Sequence, residues 1–173
     1  MANLYMRIDG LTSIKGSATL EEIGGKKGFM PIDSAQFGVG RSINISVGAA
    51  TSGEMGTVNF ADISVARGSD GASPYLQTFF FAPGDNGKTV EIVVTKADRT
   101  GEGLVPSMLI TMEEARMSSY SLTANNGATD NFTLAYTKVS IAHYIEEADG
   151  TIQKSDTVTF DLKTAKLVSK AAL

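Results

Sequence analysis

Residues 63–76 read ISVARGSDGASPYL, a strand pattern that runs directly into a helix start. The first half alternates apolar residues with small or polar ones, as a half-buried strand does. In the second half Ser73 can serve as the N-cap, and Pro74 suits the first helical position, where its missing N–H has no partner to lose. Helically spaced apolar residues follow until Pro83-Gly84. We therefore predict one short α-helix at about residues 73–82, packed against a sheet.

Strand patterns occupy much of the remaining chain. The 18 glycines against 4 prolines favour many turns, and β-branched and aromatic residues are frequent. A phase slip near Ala61-Asp62 is typical of a β-bulge. The sequence predicts a mainly β, antiparallel fold, with strands at residues 4–8, 37–47, 58–65, 88–96, 107–122, 130–145 and 158–162.

The strand at 130–145 changes the phase of its apolar residues. Phe132 and Leu134 share one face, whereas Val139 and Ile141 continue on the other. Because neighbouring strand residues point to opposite faces, both faces need cover. The core can cover one face, and a second protomer is the candidate for the other.

An extended, pattern-free segment lies at about residues 47–56. Its residues are mostly small or polar, and nothing in it could be buried against the chain's own core. Long loops of this kind usually serve recognition. We expect an exposed loop made of Gly48, Ala49, Ala50, Thr51, Ser52, Gly53, Glu54 and Met55.

Size and charge exclude several classes of protein. A chain of 173 residues and 18.2 kDa has the length of one domain, here 1–173, and can bury a sizeable core. Its net charge of −4 disfavours nucleic acid and anionic membrane as partners, since both need clustered Lys and Arg. No segment is apolar over the length of a bilayer, and the first residues do not resemble a cleaved signal peptide.

Catalytic and cofactor patterns fail on spacing. Without cysteine there are no thiolate metal sites, and His143 is the single histidine. Residues 84–89 miss the first glycine of a phosphate loop and precede a strand, and Gly38-x-Gly40 lacks the third glycine of a dinucleotide site. Adjacent acidic pairs would point to opposite faces of a strand. We expect no enzyme, no cofactor and no metal.

Several stretches in order resemble the haemolysin-coregulated protein (Hcp) family of bacterial type VI secretion systems. Residues 63–76 are similar to the family's strand, basic residue, Asp and Pro-containing helix start. Three further stretches match in order along the chain, namely LYMRIDG at 4–10, MSSYS at 117–121 and DNFTLAYTKV at 130–139.

The resemblance implies a closed two-sheet β-barrel with one flanking helix. It also implies homo-hexameric rings that stack into a tube inside a contractile sheath, with a spike protein at the tip and effector proteins in the lumen. Such a protein resides in the bacterial cytoplasm before firing and is then secreted without a cleaved signal peptide.

The resemblance also suggests two sets of functional residues. It places the strand around Gln36 on the inner wall, and alternation sends Gln36 to the side opposite Phe37, so Gln36 is the candidate for effector contact. It places the loop at 47–56 outside the ring, where it would contact the next ring.

Two other functions remain as alternatives. A small-ligand or carbohydrate-binding β-barrel should present aromatic residues on a concave face, yet the chain has no tryptophan and only 8% aromatic residues. The second alternative is a hydrolase. The single histidine and the lack of cysteine argue against it.

Overall fold

The computed structural model describes residues 3–11, 22–44, 54–101 and 103–172. Within them lie fourteen strands and one helix. The first eight strands are β1 (Asn3–Ile8), β2 (Phe29–Pro31), β3 (Ser34–Gln36), β4 (Val39–Gly40), β5 (Ile43–Asn44), β6 (Glu54–Met55), β7 (Asn59–Phe60) and β8 (Ile63–Gly68). After them come α1 (Ser73–Phe81), β9 (Lys88–Ala97), β10 (Leu104–Ala124), β11 (Ala128–Ala135), β12 (Lys138–Glu146), β13 (Ile152–Asp161) and β14 (Lys166–Ser169).

Ten strands form one antiparallel sheet. Its main path runs β14-β13-β12-β10-β11-β8-β3, and β9, β1 and β2 branch from β10. Two short ladders, β4 with β7 and β5 with β6, lie outside this path. Among the described residues β14 pairs only with β13 and β3 only with β8, so no pairing closes the sheet. The mainly β architecture with one helix is confirmed, whereas the closed barrel is not confirmed.

Strand β10 holds the two halves of the sheet together. Its first half pairs with β9 and β12, and its second half, from Arg116, pairs with β11. The register shifts between Met112 and Ala115, and Glu114 there has a left-handed φ of 52°. Gly87 packs against this bend so closely that a Cβ would lie 2.7 Å from the Ala115 carbonyl oxygen. The bend lets one strand belong to two differently oriented parts of the sheet.

The single strand expected at 130–145 is two strands. The chain turns at Tyr136-Thr137, so β11 pairs with β10 and β8, whereas β12 pairs with β10 and β13. Phe132, Leu134 and Val139 all enter the same core despite their opposite phases. The prediction that these residues need cover on two faces was therefore wrong. The corner between β11 and β12 turns all three side chains toward the same side.

The long strand expected at 37–47 is also broken, into the short β4 and β5. Val39 and Ile43 are 54% and 57% exposed, so these apolar side chains are not part of the core. The slip near Ala61-Asp62 corresponds to the break between β7 and β8. Apolar periodicity here predicted strand conformation but not burial.

Helix α1 agrees with the predicted span to within one residue at its end. Leu76 and Phe79 are buried against the sheet, and Phe81 is 82% exposed. The N-cap is Ala72, with no side-chain hydrogen bond, so the expectation for Ser73 was wrong. The Ser73 hydroxyl instead donates to the buried carboxylate of Asp130, where it meets a stronger acceptor.

Candidate functional site

A polar surface covers the side of the sheet opposite the core, across β3, β8, β11 and β10. Two rows of directly paired residues build it. One row is Gln36, Ser64, Thr133 and Ser119, and the other is Ser34, Ala66, Asn131 and Ser121. We call these eight residues the neutral face, because none of them carries a charge.

Strand alternation produces this face. In β8 Val65 is buried while Ser64 is exposed, and in β11 Phe132 is buried while Asn131 is exposed. Apart from Arg67 and Asp130, the buried residues of these two strands are apolar, and those that face away are small or polar. The face encloses an open depression of about 250 Å³, with Gln36 on its lining.

Hydroxyl groups on the neutral face bond to one another. The Thr133 hydroxyl lies 2.6 Å from that of Ser118 and 2.7 Å from that of Ser119. Ser118 also donates to Asp62 at 2.5 Å, which places one carboxylate at the margin of the face. The register shift between Met117 and Ser119 is what turns two consecutive serines toward Thr133.

A buried ionic cluster lies behind the neutral face and joins it to α1. Arg67 and Asp130 are both fully buried, with Nη1 of Arg67 3.1 Å from Oδ2 of Asp130. Nη2 of Arg67 also lies 2.6 Å from Asp70 Oδ1, and Ser73 donates to Asp130 at 2.5 Å. Buried charges need such partners, because an unpaired ion in the interior is costly.

Tyr120 extends this cluster toward the helix. Its hydroxyl donates to Asp130 Oδ1 at 2.7 Å and accepts a 3.4 Å hydrogen bond from Gln77 of α1. Burial raises the pKa of Tyr120, and the hydrogen bond to Asp130 raises it further. The phenol is therefore kept neutral as a donor.

A second surface is apolar. Around a groove of about 190 Å³ lie Phe37, Val39, Val58, Phe60, Val139, Ile141, Val158, Phe160 and Leu167. Val158 and Leu167 are 44% and 50% exposed, and Phe60 stacks on Phe160 with ring centroids 4.9 Å apart. We call this surface the apolar groove. Exposed apolar patches of this kind commonly mark protein contacts.

The structure separates the two predicted sets of site residues. Gln36 is exposed on the neutral face, on the side of β3 opposite Ala35. Of the predicted loop, Glu54 and Met55 form β6, paired with Ile43 and Asn44. Residues 48–53 lie outside the described residues.

Sequence reasoning missed most of the neutral face. Ser34, Ser64, Asn131 and Thr133 were not singled out, although alternation already placed them opposite apolar neighbours. What the sequence does not provide is the pairing of four strands, which alone makes these residues one surface.

His143, on β12, is exposed.

Among the described residues no cluster of three or more His, Asp or Glu is arranged to hold a metal ion. In the same part of the chain, no helix is long and apolar enough to cross a bilayer.

The fold is shared with several solved proteins. A structure described as "Structure of a type six secretion system protein" has a TM-score of 0.77 and 17% identity, and covers 96% of this chain and 99% of that chain. Hcp1 from Salmonella typhimurium has a TM-score of 0.68 and 16% identity over 96% and 99%. The secreted protein Hcp3 from Pseudomonas aeruginosa has a TM-score of 0.52 and 16% identity over 90% and 97%.

The amino-acid sequence identifies the family. The profile described as "Type VI secretion system effector, Hcp" matches residues 5–143. The chain therefore belongs to the Hcp family of type VI secretion proteins. No curated protein matches the sequence significantly.

Proposed function

We propose that the protein is a structural, non-catalytic tube component of a type VI secretion system. Residues 1–173 form one domain with a closed barrel, and its hexameric rings stack into a tube that carries effectors. The tube lies within a contractile sheath and has a spike protein at its tip. It assembles in the bacterial cytoplasm and is then secreted.

The neutral face is the observation that carries this proposal. A channel wall for cargo must offer hydrogen bonds without holding a charged cargo in place, and hydroxyl and amide groups do this. The eight registered residues contain no Lys, Arg, Asp or Glu, although 20% of the chain is charged. In the proposed ring this face lines the lumen, and Gln36 contacts effector.

The apolar groove supports ring formation. It is lined by apolar side chains alone, and Val39, Val158 and Leu167 remain about half exposed in the isolated chain. A head-to-tail contact that closes under cyclic symmetry would cover this surface on every protomer. Ile43, on β5, is a further exposed apolar residue.

The composition of the segment at residues 48–55 supports stacking. Gly48 to Met55 are small or polar apart from Met55. A segment of this composition suits a contact with the next ring along the tube.

Electron microscopy and light scattering of the purified chain test the proposal together. Rings with a central opening, and a mass several times 18.2 kDa, are expected. A monomer across the micromolar range, with no rings, would refute the tube function and favour the small-ligand or carbohydrate-binding alternative.

A further inference from the structure

A small pocket shares no lining residue with either the neutral face or the apolar groove. It is formed where β9, β10, β12 and β13 meet the turn at residues 23–26, and it has a volume of about 200 Å³. Its floor is a separate apolar cluster in which Ile23, Phe29 and Val93 are buried. We call it the outer pocket.

The size of the outer pocket limits its occupant. Sites for drug-sized ligands or cofactors usually measure roughly 300–1,000 Å³. A space of about 200 Å³, with Leu109 and Pro106 in its wall, suits one apolar side chain instead. An apolar floor also favours a side chain with no polar atoms to bury.

Charges around the outer pocket favour an acidic residue next to the apolar side chain that would enter it. Glu91, nearly buried in the wall, already has two cations, Arg7 at 2.9 Å and Lys26. Lys154 lines the pocket, is exposed, and has no ion pair within the described part of the chain. It lies directly across from Tyr144 in the β12–β13 pair.

Two further carboxylates around the pocket are already paired with cations. Arg7 also pairs with Asp9, while Glu146, two residues beyond Tyr144, is held by Lys96 and Arg99. Asp9, Glu91 and Glu146 thus each have at least one cation, whereas Lys154 has no carboxylate paired with it in the described part of the chain. A partner carboxylate beside Lys154 would gain an ion pair without displacing an existing one.

We propose that the outer pocket is a docking site for a segment of another protein in which an aromatic or aliphatic side chain stands next to an acidic residue. The apolar side chain enters the pocket and contacts Val93 and Leu109, and the carboxylate pairs with Lys154. This site is separate from the proposed lumen and ring contacts.

Methyl NMR of the assembled protein with short peptides tests the proposal. Acetyl-Glu-Phe-Glu-amide is the probe, and acetyl-Lys-Phe-Lys-amide and acetyl-Glu-Ala-Glu-amide are the controls. Saturable shifts of the Ile23, Val93 and Leu109 methyl groups are expected with the probe only. Affinity should be millimolar, since a single side chain and one ion pair provide the contact.

Two charge reversals separate the site from general electrostatics. Lys154→Glu should weaken probe binding about fivefold or more, because attraction becomes repulsion. Lys170→Glu makes the same change in net charge at an exposed residue outside the pocket and should leave binding unchanged.

Four results would overturn the proposal. The first three are an absence of shifts, equal shifts with the Lys-Phe-Lys peptide, and equal effects of the two reversals. Shifts that appear only after rings are dissociated would identify a second copy of the chain as the occupant and would also overturn it. None of these results bears on whether rings form, which microscopy reports independently.

Discussion

The guanidinium of Arg67 lies 3.1 Å from the carboxylate of Asp130, and both side chains are fully buried although 63 positions separate them in the sequence. Arg67 comes from β8 and Asp130 from β11, two neighbouring strands beneath the neutral face. The same carboxylate accepts hydrogen bonds from Ser73 and Tyr120. One residue therefore links α1, β8 and β10.

Asp130→Ala should strongly destabilise the protein. It leaves the Arg67 charge without its buried partner, and the loss of one member of a buried pair costs about 3–5 kcal/mol. The melting temperature, measured at fixed protein concentration, should fall by roughly 6–20 °C. Asp156→Ala, at an exposed position, is the control and should change stability by less than about 0.5 kcal/mol. A similar effect of both variants would contradict the role assigned to the cluster.

Gln36→Arg should leave folding and ring assembly intact but reduce effector export. Gln36 is exposed, so stability should change by less than about 0.5 kcal/mol. In a ring the substitution places repeated positive charges on the lumen wall, where they would hold or repel cargo. Export by cells carrying the variant is the measurement. Gln153→Arg, also exposed, is the matched control, and undiminished export of every effector by Gln36→Arg would count against lumen contact.

Val158→Glu should prevent ring formation while the chain stays folded. Val158 is 44% exposed in the apolar groove, so a carboxylate there is tolerated in the monomer but would be buried in the proposed ring. Gel filtration with light scattering should show a shift toward 18.2 kDa. Gln153→Glu introduces the same charge on the same strand and should leave rings unchanged. Normal rings from Val158→Glu would remove the groove from the interface.

Stability should decline with pH above 10 because of Tyr136. Burial, with a smaller contribution from the charge of nearby Asp62, raises the pKa of Tyr136 from its ordinary 10.0 to about 12. Between these values the unfolded phenol ionises while the folded one stays neutral, so unfolding becomes more favourable. The contribution of the neutral Tyr136 to stability is complete below pH 10 and is lost as the pH rises through about 12.

Denaturant unfolding at pH 9 and pH 11.5 provides the measurement. Tyr136→Phe should reduce the difference in the free energy of unfolding between the two pH values. The substitution also removes the 3.0 Å hydrogen bond from the Tyr136 hydroxyl to the Ala61 carbonyl. An unchanged difference would show that another group controls the decline.

Stacking of rings can be tested by disulfide formation, because the chain has no native cysteine. Ser52→Cys combined with Asp156→Cys should cross-link neighbouring rings on oxidation if the segment at residues 48–55 reaches them. A disulfide needs paired Cα atoms within roughly 7 Å, so ladders on non-reducing gels report direct contact. Each single variant is the control. The stacking role should be abandoned if no position in 48–55 cross-links while tubes are visible.

Local patterns in the sequence were sufficient for much of the secondary structure. Pro74 and the apolar spacing after it predicted α1, and alternation predicted β1, β9 and the strands around residues 63–65 and 130–134. These features depend on residues within a turn or a few positions of one another, so periodicity reports them directly. Gln36 was placed on the surface by the same alternation.

The tertiary structure determined which strands pair and which distant residues become neighbours. Alternation says which side chains share a face of one strand, but the partner strand is chosen by packing between distant segments. Hence the corner at Tyr136-Thr137, the bend at Glu114 and the burial of Arg67 with Asp130 were not visible in the sequence. The neutral face itself needs β3, β8, β11 and β10 in register, a property of the folded sheet and of no single stretch of sequence.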